Sequence, residues 1–293
     1  EILNTEANEK NRWKNKEAID LCNEVIAAFP ESDGAKKCEI LKQQILQPSL
    51  GLQAEEFISV NTPSRILVNY KNLNALDFII YKVNKKQLKN YQKLYNAEEK
   101  ERFFKNLKPI NSFTSTLKSE NDYQAHRTEI IFPQLQNGLY IIKASSNKDN
   151  VFAATHIQIT DFALLESIQN EIIYYQLINR NNGEPFSDAS VKISYTNNRN
   201  KYFSKSLKTD RFGKFNFKKD DNYYRQVEIK IDHNNNEAYF GDYYFSRAYK
   251  PRKNTDTQYN VFLFTDRSIY RPGQTAYFKG IVTATKDDNT EVY

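Results

Sequence analysis

The sequence predicts a mainly β protein, with tandem immunoglobulin-like β-sandwiches preceded by an N-terminal α-helical hairpin. Three observations carry this expectation. Helical spacing of apolar residues is confined to the first stretch and one later insertion, while most of the chain alternates at period two between turn residues. Aromatics make up 14% of the residues, with 20 Tyr and 19 Phe against a single Trp, and Tyr and Phe suit pleated, half-buried surfaces. The length of 293 residues has room for about two domains, or three small β-units.

The hairpin occupies residues 1–48. In "NRWKNKEAIDLCNEVIAAFP" apolar side chains recur at Trp13, Ala18 or Ile19, Cys22, Val25 or Ile26, and Phe29, the spacing of one helix face. Pro30 punctuates it. A second helix starts with Ser32 or Asp33 as cap, continues through Ala35, Cys38, Leu41 and Ile45, and closes at Pro48. The run resembles one tetratricopeptide-like unit. A single unit cannot stack on itself, so it must pack on the following domain or on residues upstream.

Both cysteines lie in this hairpin. With the turn centred near Pro30, residue i faces roughly residue 60 − i, which sets Cys22 opposite Cys38. A disulfide would suit an oxidising compartment. Two buried thiols in a helix interface are the alternative, and spacing leaves both open.

From Ser49 the period changes. Residues 49–161 predict a first sandwich, with strands in "EFISVNTPSRILVNYKNLNALDFIIYKVN", "INSFTSTLKS", "RTEIIFP", "GLYIIKASS" and "VFAATHIQIT". A helical insertion near 85–107 carries Leu88, Tyr91, Leu94 or Tyr95, Phe103, Phe104 and Leu107, and Asn137-Gly138 supplies a turn. Residues 162–250 predict a second sandwich, starting from a long strand after Glu171 and the alternating Val191, Ile193 and Tyr195. In "TDRFGKF", Asp210 and Gly213 stand at the two ends of a type I turn. The strands "QVEIKIDH" and "EAYFGDYYFSR" follow. A polar linker, 248–258, leads into 251–293, the expected start of a further sandwich.

Several function classes are excluded. The net charge is +6, but lysines are interspersed with acids, as in "NAEEKERFFKNLK", so no nucleic-acid partner is expected. His126, His156 and His233 lack metal-ligand spacing, and no P-loop, nucleophile elbow or dinucleotide fingerprint occurs. The acidic turns at 220–222 and 286–289 are expected to be merely solvated. No enzyme, cofactor or metal site is therefore expected. There is no Met, and the first residue is Glu1, so the expectation is a processed N-terminus with any signal sequence out of view.

The stretch "TDRSIYRPGQTAYFKG" has a clear physical reading: strand, corner, strand. Pro272 pre-sets φ at the second turn position and Gly273 permits positive φ at the third. It also resembles the opening of a macroglobulin domain in the α2-macroglobulin family. Thr265, Asp266, Arg267, Tyr270, Arg271, Pro272, Gly273, Gln274, Thr275 and Phe278 fit that signature, with Ala276 in the usual Val position. The order of helical segment and sandwiches resembles bacterial members, particularly the Bacteroidetes type.

The resemblance implies a non-catalytic scaffold segment of a protease-trapping protein of the periplasm or outer-membrane surface. Its partners would be proteases, met through the full-length protein, and other domains of the same chain. Membrane contact would come only through an N-terminal lipid anchor outside these residues. The family's Cys–Gln thioester does not carry over, because Cys22-Asn23-Glu24 is followed by Val25 where Gln is needed. A surface adhesion or glycan-binding module, using sandwich loops rich in Tyr and Asn, is the rival expectation.

Overall fold

The computed structural model describes residues 11–146, 148, 150–169, 171–197, 199–219, 224–245, 257–266, 273–286 and 289–293. It is mainly β, in five sheets, with a helical hairpin at the N-terminal end.

The hairpin pairs α1 (Lys14–Ala28) with α2 (Asp33–Leu46). Ser32 caps α2, its Oγ accepting from the Ala35 N–H at 3.1 Å. Burial falls on Asn15, Ile19, Cys22, Ala35 and Ile45. Trp13 and Phe29, expected on the buried face, are 45% and 67% exposed. They are the residues that flank α1 at its start and its end, outside the helical turns that pack on α2.

The first sandwich contains β1 (Ser49–Gln53), β2 (Phe57–Ile58), β3 (Ser64–Lys71), β4 (Ala75–Val83), α3 (Lys85–Gln92), α4 (Ala97–Lys105), β5 (Pro109–Thr116), β6 (His126–Phe132), β7 (Gly138–Ser146) and β8 (Val151–Ile159). One sheet has the order β1-β3-β6 and the other β2-β8-β7-β4-β5. Ile66, Val68, Phe78, Ile80, Phe132 and Ile142 are among the side chains that fill the space between them. Burying each such side chain contributes about 1.5–3 kcal/mol.

The helical insertion is two short helices. Asn84 opens α3 with a capping box to Gln87, and Asn96 opens α4 by accepting from the Glu99 N–H. Leu88, Tyr91 and Phe104 cover the outer face of the five-stranded sheet, against Tyr81, Val83, Leu139 and Ile141. Tyr95 points to solvent, 91% exposed. Strand β7 is therefore buried along its entire length, and its apolar run "GLYII" reflects burial on both faces rather than alternation.

The second sandwich contains β9 (Phe162–Gln169), β10 (Ile172–Asn179), β11 (Ser190–Thr196), β12 (Tyr202–Lys208), β13 (Lys214–Lys218), β14 (Tyr224–His233) and β15 (Asn236–Phe245). The sheets β13-β10-β9 and β12-β11-β14-β15 enclose Ile173, Leu177, Val191, Ile193, Val227 and Ile229. Strand β9 had no sequence signal, because from Leu165 onward it is exposed and shows no alternation of burial. The turn before β13 is as expected. The Gly213 N–H donates to the Asp210 carbonyl at 2.9 Å, and φ of Gly213 is +71°.

The fifth sheet has the order β16-β17-β18, from β16 (Gln258–Thr265), β17 (Phe278–Lys286) and β18 (Asn289–Val292). Val261, Phe262, Leu263, Phe264, Tyr277 and Phe278 are all exposed. Of the corner, Arg267, Tyr270, Arg271 and Pro272 lie outside the described residues, as do linker residues 248–256 and the acidic turn at 220–222. Thr265 pairs with Phe278, and the Asp266 N–H donates to the Tyr277 carbonyl at 3.1 Å. Gly273 has φ +85°, the positive value the turn requires. Gln274 follows it in extended chain leading to β17.

Candidate functional site

The most elaborate polar construction among the described residues is the seam between the two sandwiches. Strand β15 is the edge of its sheet, and an edge presents unpaired backbone groups. Gln158, from β8, donates through Nε2 to the Tyr239 carbonyl at 3.0 Å and accepts from the Tyr239 N–H at 2.9 Å. Asn137 does the same at Glu237, donating at 3.0 Å and accepting at 2.9 Å. Glu237 and Tyr239 are two residues apart, so their backbone groups face the same way. Two side-chain amides thus stand where a neighbouring strand would.

Asn137 also donates to the Ile159 carbonyl at 3.0 Å, tying the start of β7 to the end of β8. Beside the amides, Phe57 stacks on Phe240 with ring centroids 5.4 Å apart, and the Arg180 guanidinium lies 5.6 Å from the Phe57 ring. Lys85 and Lys89 converge on Glu228 at 3.3 and 2.7 Å. Lys230 bridges Asp232 at 2.9 Å and Glu237 at 3.1 Å. Burial alone would push the Lys230 ammonium down, but those carboxylates outweigh it and hold its pKa well above the ordinary value. Burial, reinforced by the Glu237 carboxylate, pushes Tyr239 up to about 12.

The covalent connection is equally taut. Asp161 Oδ1 accepts from the Val60 N–H at 2.9 Å and from Asn181 Nδ2 at 3.1 Å. Ser59 Oγ donates to Asn181 Oδ1 at 2.7 Å, and the Arg180 N–H donates to the Asp161 carbonyl at 2.7 Å. A cavity of about 160 Å³ remains at the seam, with His156, Gln92, Glu56 and Glu228 in its wall. Burial lowers the pKa of His156. Among the described residues no buried side-chain N or O lacks a partner, and no group of three metal-ligating side chains occurs. The arrangement can hold two bodies in register, and it offers no paired acid and base for chemistry.

A second polar cluster docks the hairpin on the first sandwich. Asp122, 2% exposed, accepts from Arg12 Nε at 3.0 Å, from the Gln124 N–H at 3.1 Å and bonds His126 Nε2 at 2.8 Å. Arg12 also pairs with Glu120, as does Lys118. Asn15 Nδ2 donates to the Tyr123 carbonyl, and Gln124 Nε2 to the Arg12 carbonyl. At the other helix, Asn72 Nδ2 donates to the Ile45 carbonyl at 2.8 Å. Both feet of the hairpin are thereby pinned to the sandwich that follows it.

Burial pushes the Asp122 carboxyl up, but His126, Gln124 and Arg12 outweigh this and hold it below the ordinary value of 3.8. Its contribution is then complete above that value and fades as pH drops below it. Trp13, the single tryptophan, adjoins Arg12, whose guanidinium carbon lies 5.2 Å from the indole. Trp13 emission is expected to shift as the hairpin's foot loosens below about pH 3.8. In Asp122→Asn the emission is expected to be shifted already at neutral pH and to lose that acid step. An acid step of equal size in both proteins would remove Asp122 as its cause.

Among the described residues, none of the sequence-predicted site residues lies in the seam. Cys22 and Cys38 are brought together in the hairpin as free thiols, Thr265 ends β16, and Asp266, Gly273 and Gln274 lie in the connection from β16 to β17. Sequence reasoning saw Asn137 only as a turn residue and gave no role to Gln158, Glu237 or Tyr239. A side chain that recognises a distant backbone leaves no periodic trace.

No protein-family model matches this sequence, and no curated protein matches it. Among solved structures, the chain is similar to a native Escherichia coli α2-macroglobulin fragment spanning domains NIE-MG1, at TM-score 0.48 and 13% identity, over 67% of this chain and 97% of that one. A fragment spanning MG0-NIE-MG1 gives TM-score 0.48 and 14% identity, over 66% of this chain and 64% of that one. A Salmonella α2-macroglobulin variant gives TM-score 0.47 and 13% identity, over 85% of this chain but 19% of that one. These neighbours come from Escherichia coli and Salmonella and lend no support to the narrower Bacteroidetes type. At such scores the likeness says what this chain is similar to and no more.

Proposed function

We propose that this chain is a non-catalytic scaffold segment of a bacterial α2-macroglobulin-like protein that traps proteases in the cell envelope. The observation that carries the proposal is the seam. Its polar side chains are committed to holding two sandwiches without slack, the property a load-transmitting scaffold needs. The signature residues Thr265, Asp266, Gly273 and Gln274, with Arg267, Tyr270, Arg271 and Pro272 between them, supply the family resemblance. In this reading the chain divides into a hairpin at 1–48, sandwiches at 49–161 and 162–250, and the beginning of a third at 251–293. The exposed apolar side chains of the β16-β17-β18 sheet fit one layer of a sandwich that a facing layer would cover. A Bacteroidetes-type origin rests on segment order alone. The partners are proteases, acting on the full-length protein in the periplasm or at the outer-membrane surface.

The test compares the full-length protein with residues 1–293 on exposure to an endoprotease. The full-length protein is expected to be cut at a confined region, and the protease then to lose activity on large protein substrates while keeping it on small peptides. The segment alone is expected to leave the protease unaffected. Inhibition by the segment alone, or unchanged protease activity with the full-length protein, would overturn the reading. Specific retention of the segment on a glycan array would instead favour a surface module. The groove for that rival, about 520 Å³ on the outer face of β9 and β10, has Tyr174 as its half-exposed aromatic.

A further inference from the structure

We propose that Cys22 and Cys38 are the site of an intramolecular disulfide that staples the two hairpin helices together midway along their length. The packing of the helices fixes the register. Cys22 is buried in the hairpin, Cys38 is half-buried, and Cys38 is the neighbouring group beside the Cys22 thiol. A Cβ placed on Gly34 would sit 3.8 Å from Val25 Cγ1, so position 25 faces 34 as position 22 faces 38. These are the two cysteines of the whole chain, which leaves each a single intramolecular partner.

The position of the pair gives the bond a purpose. Hydrogen bonds from the hairpin to the first sandwich involve Arg12 and Asn15 at one foot and the carbonyls of Gln44, Ile45 and Gln47 at the other. Among the described residues none reaches the sandwich from 22–38. The outer half is held only by helix-on-helix packing, in which Cys22 and Ala35 are the buried side chains. A cross-link here closes a loop at the place where other restraints end.

The oxidant is a small-molecule or protein disulfide. Cys38, the more accessible thiol, loses its proton to solvent and attacks one sulfur of that disulfide, releasing the first leaving thiolate. Cys22 then loses its proton and attacks the Cys38 sulfur, expelling the second. Two thiols are oxidised by two electrons in all, and one disulfide is reduced to two thiols. Burial raises the Cys22 thiol pKa, which lowers its thiolate fraction and slows the second, intramolecular step.

The experiment treats the folded chain with oxidised glutathione, quenches in acid, and alkylates the unfolded product without reductant before peptide mapping. The expected product is a peptide pair linked through Cys22 and Cys38, lighter by two hydrogens and resistant to alkylation. Cys22→Ser is expected to stop at a glutathione adduct on Cys38. Amide hydrogen exchange in the outer halves of α1 and α2 should slow by about 100-fold on oxidation, the effect of closing a loop of roughly 16 residues. Alkylation of both thiols, or a persistent glutathione adduct in the unsubstituted chain, would overturn the disulfide. A bond that leaves hydrogen exchange unchanged would overturn its role as a staple.

Discussion

Gly213→Ala is expected to destabilise the second sandwich by about 3 kcal/mol or more. Two effects coincide at this turn. A φ of +71° is strained for any residue with a Cβ, and here the Cβ would lie 2.3 Å from the Leu177 carbonyl oxygen and 3.2 Å from Pro185 Cβ. The obstacle is backbone, so it cannot swing aside. The Gly213 carbonyl also accepts from the Leu177 N–H at 2.8 Å, so moving the turn breaks a bond into β10. Gly183→Ala is the control, with φ +77° but nothing within 4 Å of the added methyl. It is expected to cost about 1 kcal/mol, the backbone term alone. Urea unfolding of both variants separates the two effects, and equal losses would show that close approach contributes nothing.

Removing both seam amides, as Asn137→Ala with Gln158→Ala, is expected to weaken the coupling of the sandwiches by about 3 kcal/mol, at a net value of about 1 kcal/mol per hydrogen bond less what water restores. The four bonds at Glu237 and Tyr239 would be lost, while the cores around Phe78 and Ile229 are untouched. Calorimetry should therefore show one transition dividing into two, with each sandwich still cooperative. A single transition shifted as a whole would place the coupling elsewhere, at the Phe57–Phe240 stack or the Asp161 connection.

Much of the fold was legible because burial in it is periodic. The hairpin showed through the spacing of Ile19, Cys22, Ala35 and Ile45, β10 through its long apolar run after Glu171, and β11 through Val191 and Ile193. Turn chemistry placed Gly213 and Gly273 at positive φ. Two kinds of feature were hidden. Strand β9 runs out into solvent beyond Leu164 and loses its alternation, while the division of 85–107 into two helices turned on Asn96, one polar residue among many. The seam was hidden for a different reason. Gln158 and Tyr239 are 81 residues apart in the chain, and their recognition depends on tertiary placement rather than on any local rule.

The amide at position 137 also has a chemical lifetime. Asparagine followed by glycine is the dipeptide most prone to cyclise to a succinimide and open as aspartate or isoaspartate, and Asn137 is followed by Gly138. Its hydrogen bonds to Ile159 and Glu237 hold the side chain in place and oppose that cyclisation. Once deamidated, the carboxylate has no proton to donate, and it would present an oxygen to two carbonyl oxygens. The joint between the sandwiches would then age from a residue that the sequence marks only as a turn.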